Sequence, residues 1–201
     1  VCGVRVRCRG SCEHLYVPPE RHLRRAARLA ACGTKNDSKG DQPAAPASAL
    51  DLLEKVWSTY TDDEKFPAAG GDYSEANSKE DAPGVYDLTD RAAVDSALGL
   101  PETAKVDQAA SLVHMMNQNT FTAAAYHCTD DADALATALR DNIQQRQWMC
   151  GFPDKLVVAE VGDEYVVTVF GADELVDTFM THLNGIYGVS AVHTAYDEAI
   201  L

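Results

Sequence analysis

The residues of this 201-residue chain best able to react are its six cysteines and six histidines, and their spacing decides which chemistries are open. Cys150 lies in the segment Gln147-Trp148-Met149-Cys150-Gly151-Phe152-Pro153. A cysteine reacts as its thiolate, which needs a nearby cation or a helix N-terminus to form at neutral pH. Arg146 is the one near cation, and the helical spacing upstream puts Cys150 beyond a helix C-terminus, whose partial negative charge opposes ionisation. The segment is therefore expected to be a helix-to-strand corner. Trp148 and Phe152 should fill the core while Gly151 and Pro153 set the turn. Cys128, ending one predicted strand, and Cys150, preceding another, form a candidate disulfide in an oxidising exterior, with free buried thiols as the default.

Cys32 offers different chemistry. Leu29-Ala30-Ala31-Cys32-Gly33 has the small-residue pattern at which bacterial lipoproteins are cleaved and lipidated on cysteine. The residues before it, Arg-His-Leu-Arg-Arg-Ala-Ala-Arg, lack the run of ~7–15 apolar residues that a secretory signal needs. Those after it, Gly-Thr-Lys-Asn-Asp-Ser-Lys-Gly-Asp-Gln-Pro, form a polar linker suited to tethering a folded domain. Residues 1–32 thus read as a signal-like or mis-assigned segment, with 1–28 arising from a wrongly chosen start or a shifted frame. Residues 33–47 read as a flexible linker and 48–201 as one domain.

Other sites are harder to build. Cys2, Cys8 and Cys12 are too irregularly spaced for a zinc ribbon, and no C-x-x-C occurs. A hairpin turning at 117–118 sets residue 114 opposite 121 and residue 127 opposite 108, so His114 and His127 fall too far apart to share a metal. Asp130-Asp131 with Asp133 lacks the glycine and terminal glutamate of a calcium loop. No nucleophile elbow, Walker loop or dinucleotide fingerprint is present. No catalytic residue, metal ligand or cofactor is assigned.

The elements that would position these residues are legible from periodicity. Helices are expected over 48–60 (capped by Ser48 with Asp51), 90–98 (Thr89 cap, Gly99 stop), 130–147 (Thr129 or Asp130 cap) and 172–183. Strands are expected at 106–115, a segment whose spacing also fits a helix, and at 120–128, then as a hairpin around Gly162-Asp163, with a further strand at 188–193. The stretch between Thr61 and Gly84, acidic and rich in Gly and Pro, reads as a long loop with Phe66, Tyr73 and the neighbouring Tyr86 as exposed binding candidates. The fold expected is α+β. A mainly antiparallel sheet in the order β-β-α-β-β-α should carry helices packed on one face, preceded by one or two short helices.

Charge sharpens the choice of partner. The chain carries −14, yet its first 32 residues hold seven arginines against two glutamates, which leaves −19 on residues 33–201. Such a surface repels phosphate backbones and anionic lipid heads, so nucleic-acid binding and direct membrane adsorption are not expected.

Two stretches, Asn119-Thr-Phe-Thr-Ala-Ala-Ala-Tyr126 and Gln147-Trp-Met-Cys-Gly-Phe-Pro-Asp-Lys-Leu-Val-Val158, resemble a family of uncharacterised lipoproteins from Gram-positive anaerobes, defined as a domain of unknown function. The resemblance covers roughly 85–183 and departs over the first 28 residues and the tail. It implies a lipid on Cys32 and a domain on the outer face of the cytoplasmic membrane. A non-enzymatic module binding a protein, a peptide or a cell-wall component is the function expected, with the membrane reached through the anchor alone. The alternatives are a thiol-dependent redox or transport accessory protein using Cys150, and a cytoplasmic interaction protein with a basic N-terminal arm.

Overall fold

Two hairpins form the centre of the molecule, the first in the register its sequence predicts. β4 (Val106–His114) pairs with β5 (Phe121–Cys128), with Gln108 opposite His127 and Val113 opposite Thr122. β6 (Lys155–Val161) pairs with β7 (Tyr165–Gly171) across the turn at Gly162, where φ is 65°. β5 and β7 join the hairpins, and every pairing is antiparallel. The computed structural model describes residues 45–149, 151–189 and 191–195.

The predicted loop after residue 60 is not all loop. It supplies β1 (Ala68–Gly70), β2 (Lys79–Glu80) and β3 (Gly84–Val85), which complete an eight-stranded sheet in the order β2-β1-β4-β5-β7-β6-β8, with β3 beside β4. β8 (Ala191–Ala195) forms the far edge. Gly70 and Gly84 make the corner possible: a Cβ on Gly70 would stand 2.2 Å from the Gly84 nitrogen, so no larger residue fits between β1 and β3.

Among the described residues, four helices cover the sheet. α1 (Ala49–Ser58) begins where the Ser48 hydroxyl accepts a hydrogen bond from the Asp51 N–H at 3.0 Å, and the Asp51 carboxylate reaches back to the Ala47 N–H at 2.9 Å. α2 (Arg91–Leu98) is capped by Asp90 rather than Thr89 and ends at Gly99 in the left-handed region. α3 (Ala132–Gln144) is capped by Asp131 rather than Thr129 or Asp130, and α4 (Asp173–Tyr187) extends a turn beyond its predicted end. In both capping corrections, a carboxylate one residue nearer the helix reaches the free N–H groups of the first turn.

The helices do not share one face, and here the expectation is corrected. Leu52, Leu53 and Val56 of α1 and Val176, Phe179 and Leu183 of α4 pack with Ala123, Ala125, Val157, Val167 and Val169. Val94 and Leu98 of α2 and Leu135, Leu139 and Ile143 of α3 pack with Ala124, Tyr126, Leu156, Val158 and Phe170. Alternate residues of each strand thus enter opposite cores, which is why β5 and β7 are apolar at nearly every position instead of every second one. Among the described residues, no helix is long and apolar enough to cross a membrane.

Candidate functional site

Among the described residues, five of the seven exposed large apolar side chains gather at one end of the sheet. They are Tyr73 (54% exposed), Met115 (58%), Met116 (86%), Met149 (82%) and Phe152 (65%). Their placement follows from the hairpin register: with Val113 opposite Thr122, residues 115–120 have no ladder partner and close β4–β5 as a turn. Two apolar methionines therefore fall at a tip with little to pack on.

The turn collects the other members by hydrogen bonds. Asn119 Nδ2 donates to the carbonyl oxygens of Met149 and Gly151, both at 2.8 Å, and so holds the segment after α3 against the turn. Gln118 Nε2 donates to the Tyr73 hydroxyl at 3.1 Å. The Met115 N–H donates to the Pro67 carbonyl at 3.0 Å. Between Tyr73, Lys79, Glu80 and Met115–Gln118 lies a concavity of about 430 Å³.

Tyr73 is held in an unfavourable conformation. Its φ of 63° lies in the left-handed region, which a bulky side chain seldom adopts. Asp72 sustains it: the carboxylate accepts hydrogen bonds from the Ser74 N–H at 2.9 Å, Asn77 Nδ2 at 2.7 Å and the Asp87 N–H at 3.2 Å. Partial burial pushes the Asp72 pKa up, but the bonds from Ser74, Asn77 and Asp87 outweigh it and bring the value down to about 2. Backbone strain of this kind gathers at functional sites, and the aromatic ring it presents belongs to the exposed cluster.

The corner at 145–154 departs in part from its expected structure. Trp148 does meet the core, its ring 5.2 Å from Phe170 in an edge arrangement, with the Arg146 guanidinium 4.8 Å over it. Gly151 sets the turn with φ 112°. Phe152, expected inside, points out, and Pro153 takes the buried position in its place. The reason is local: the positive φ at Gly151 and the two carbonyls fixed by Asn119 turn the chain so that residue 153 faces the sheet.

Of the six cysteines, Cys128 lies among the described residues. Cys128 is a buried free thiol at the end of β5 beside Val106. Cys150, the other half of the candidate disulfide, lies outside the described residues. The Arg146 guanidinium is occupied by the Trp148 and Phe170 rings and by the Ser96 carbonyl. Cys32 also lies outside the described residues.

Of the aromatic candidates, Tyr73 is exposed, Tyr86 is buried, and Phe66 stacks on His114 with centroids 5.2 Å apart. His114 and His127 stand at opposite ends of the β4–β5 ladder, and among the described residues no group of three or more His, Cys, Asp or Glu is placed to hold a metal ion. Glu64, His182 and Thr59 superficially resemble a hydrolase triad, with 3.3 Å between Glu64 and His182 and 2.9 Å between His182 and Thr59. Thr59 Oγ1, however, donates its proton to the Val56 carbonyl at 2.7 Å, so the histidine is not placed to activate it.

A larger concavity, about 580 Å³, opens between the start of α1, the 85–89 segment and residues 107–109 of β4. Its polar groups already serve the fold: Gln108 Oε1 accepts the Ala49 N–H at 3.1 Å, and Asp107 pairs with His127 at 2.6 Å. The methionine end has the opposite character, apolar and exposed.

The methionine pair escapes a reading by periodicity, which absorbs Met115 into the strand. The turn position at 117–118 was the available signal, since it already places both methionines at the tip. No known protein family, curated protein or solved structure matches this chain.

Proposed function

We propose that this chain is a non-enzymatic, lipid-anchored module on the outer face of the cytoplasmic membrane, and that it binds another protein through the methionine end of its sheet. The observation that carries the binding reading is the cluster itself. Three methionines and two aromatic rings exposed together cost solubility unless something covers them, and unbranched methionine side chains adapt readily to a partner's surface.

The anchor reading rests on Leu29-Ala30-Ala31-Cys32-Gly33 and the polar linker 33–47. The geometry suits it. The chain enters α1 beside Gln108, whereas the methionine turn follows His114, roughly 20 Å further along β4. The methionine turn thus lies away from the start of α1. The linker adds a reach of roughly 20 Å.

Two measurements test the two halves. The intact mass of the protein from its native cells should show a chain beginning at a diacylglyceryl-modified Cys32; an unmodified chain retaining the arginine-rich segment removes the anchor. A photo-crosslinking amino acid at position 116 should capture a protein partner in those cells, while the same group at Glu54, on exposed α1 surface, should not. Equal capture from both positions, or none from 116, removes the binding end.

A further inference from the structure

Given the binding reading above, the partner's chemistry can be narrowed. We infer that the surface formed by Met115, Met116, Met149 and Phe152 receives an amphipathic helix of another protein, apolar along one face and rich in Lys and Arg along its flanks. The juxtaposition of an adaptable apolar patch with an acidic rim carries this.

The rim is set by the same end of the sheet. The Ala172 N–H donates to the Thr120 carbonyl and the Asp154 N–H to the Gly171 carbonyl, both at 2.9 Å, which brings Asp154 and the first turn of α4 to the patch. Asp173 and Glu174 start that helix, and Glu80 lines the concavity beside Met116. Asp154, Asp173, Glu174 and Glu80 are all exposed, so four carboxylates stand at this end of the sheet. Lys79 and Arg146 stand against them, since Lys155 is paired with Asp177 at 2.6 Å. The excess of negative charge matches the −19 of residues 33–201 and selects a basic ligand. It also turns away a second copy, which would bring the same rim.

A helix fits better than a strand. An added strand needs a free edge with its N–H and C=O groups open. Near the patch β4 is flanked by β5 and β1, and β2 outside them offers only Lys79 and Glu80. Among the described residues, the other edge strand is β8, across the sheet. What remains is a side-chain surface, the kind that receives the apolar stripe of a helix.

The probe is a Leu/Lys peptide of about four helical turns, with its leucines at helical spacing. A second peptide of the same composition places them at every second residue. Each is titrated into the full chain carrying ¹³C-methyl methionine. The chain has four methionines, and Met180, half-buried against the core on α4, serves as the internal control. We expect the helical peptide to shift Met115, Met116 and Met149 and leave Met180 in place. The alternating peptide should bind at least tenfold more weakly. Met116→Ser combined with Phe152→Ser, both exposed, should weaken the helical peptide about tenfold and leave the melting temperature unchanged. Equal binding of both peptides, uniform shifts at all four methionines, or insensitivity to the double substitution overturns the inference. If no peptide binds while position 116 still crosslinks a protein in cells, the helix inference fails and the binding-module reading stands.

Discussion

At the scale of single residues, Asp72 is the group on which the site most depends. Its three hydrogen bonds close the loop that holds Tyr73 at positive φ. The folded value near 2 lies below the ordinary 3.8, so the fold favours the carboxylate. Its stabilising contribution is complete above about pH 4 and is lost as pH falls towards 2. Asp72→Ala should release the loop, raise protease cleavage between 72 and 87, and cost about 1 kcal/mol once solvent exposure is allowed for. The wild-type loop should become equally sensitive between pH 4 and 2, and insensitivity in both would mean that other contacts hold Tyr73. None of this was visible in the sequence, where Asp72 is one acid among many. Its role comes from Ser74, Asn77 and Asp87 converging on it, and Asp87 lies fifteen residues away.

At the scale of elements, β5 decides how the layers fit. Ala123, Ala124 and Ala125 are fully buried and alternate between the two cores, so helices on both faces pack on small side chains. Ala124→Leu should crowd the α2/α3 side and cost about 1–3 kcal/mol, a shift readable in the urea midpoint. Leu139→Ala, which empties the same core from α3, should cost about 2–5 kcal/mol. A negligible change in both would mean that this core is loosely packed. The four helices and two hairpins were legible because each repeats its period over eight or more residues or brackets a clear turn. β1, β2 and β3 were not, since two or three residues carry no period, and their pairing depends on distant partners in β4. The division of the helices was legible only in part. The runs Tyr-Val-Val-Thr-Val-Phe and Phe-Thr-Ala-Ala-Ala-Tyr lack the alternation of a half-exposed strand, and that signal for two covered faces was present from the start.

At the scale of the whole molecule, buried phenols set an alkaline limit. Burial pushes the pKa of Tyr187 up to about 12, with Asp51 and Tyr165 adding to it. Burial likewise raises Tyr60 and Tyr126, which lie in the two different cores. The fold favours the neutral phenol, so the stability these residues contribute is whole below pH 10, their ordinary value, and drains away as pH rises towards 12 and beyond. Absorbance at 295 nm should show these three ionising only together with loss of circular dichroism; independent ionisation would place them nearer solvent. The methionine end has a different consequence, one of wear rather than balance. A sulfur open to water takes up oxygen from peroxide and becomes a polar sulfoxide, and Met115, Met116 and Met149 are all open while Met180 is half sheltered. Where no reductase restores the sulfoxides, peroxide would turn this end of the sheet polar first, with the two cores still intact.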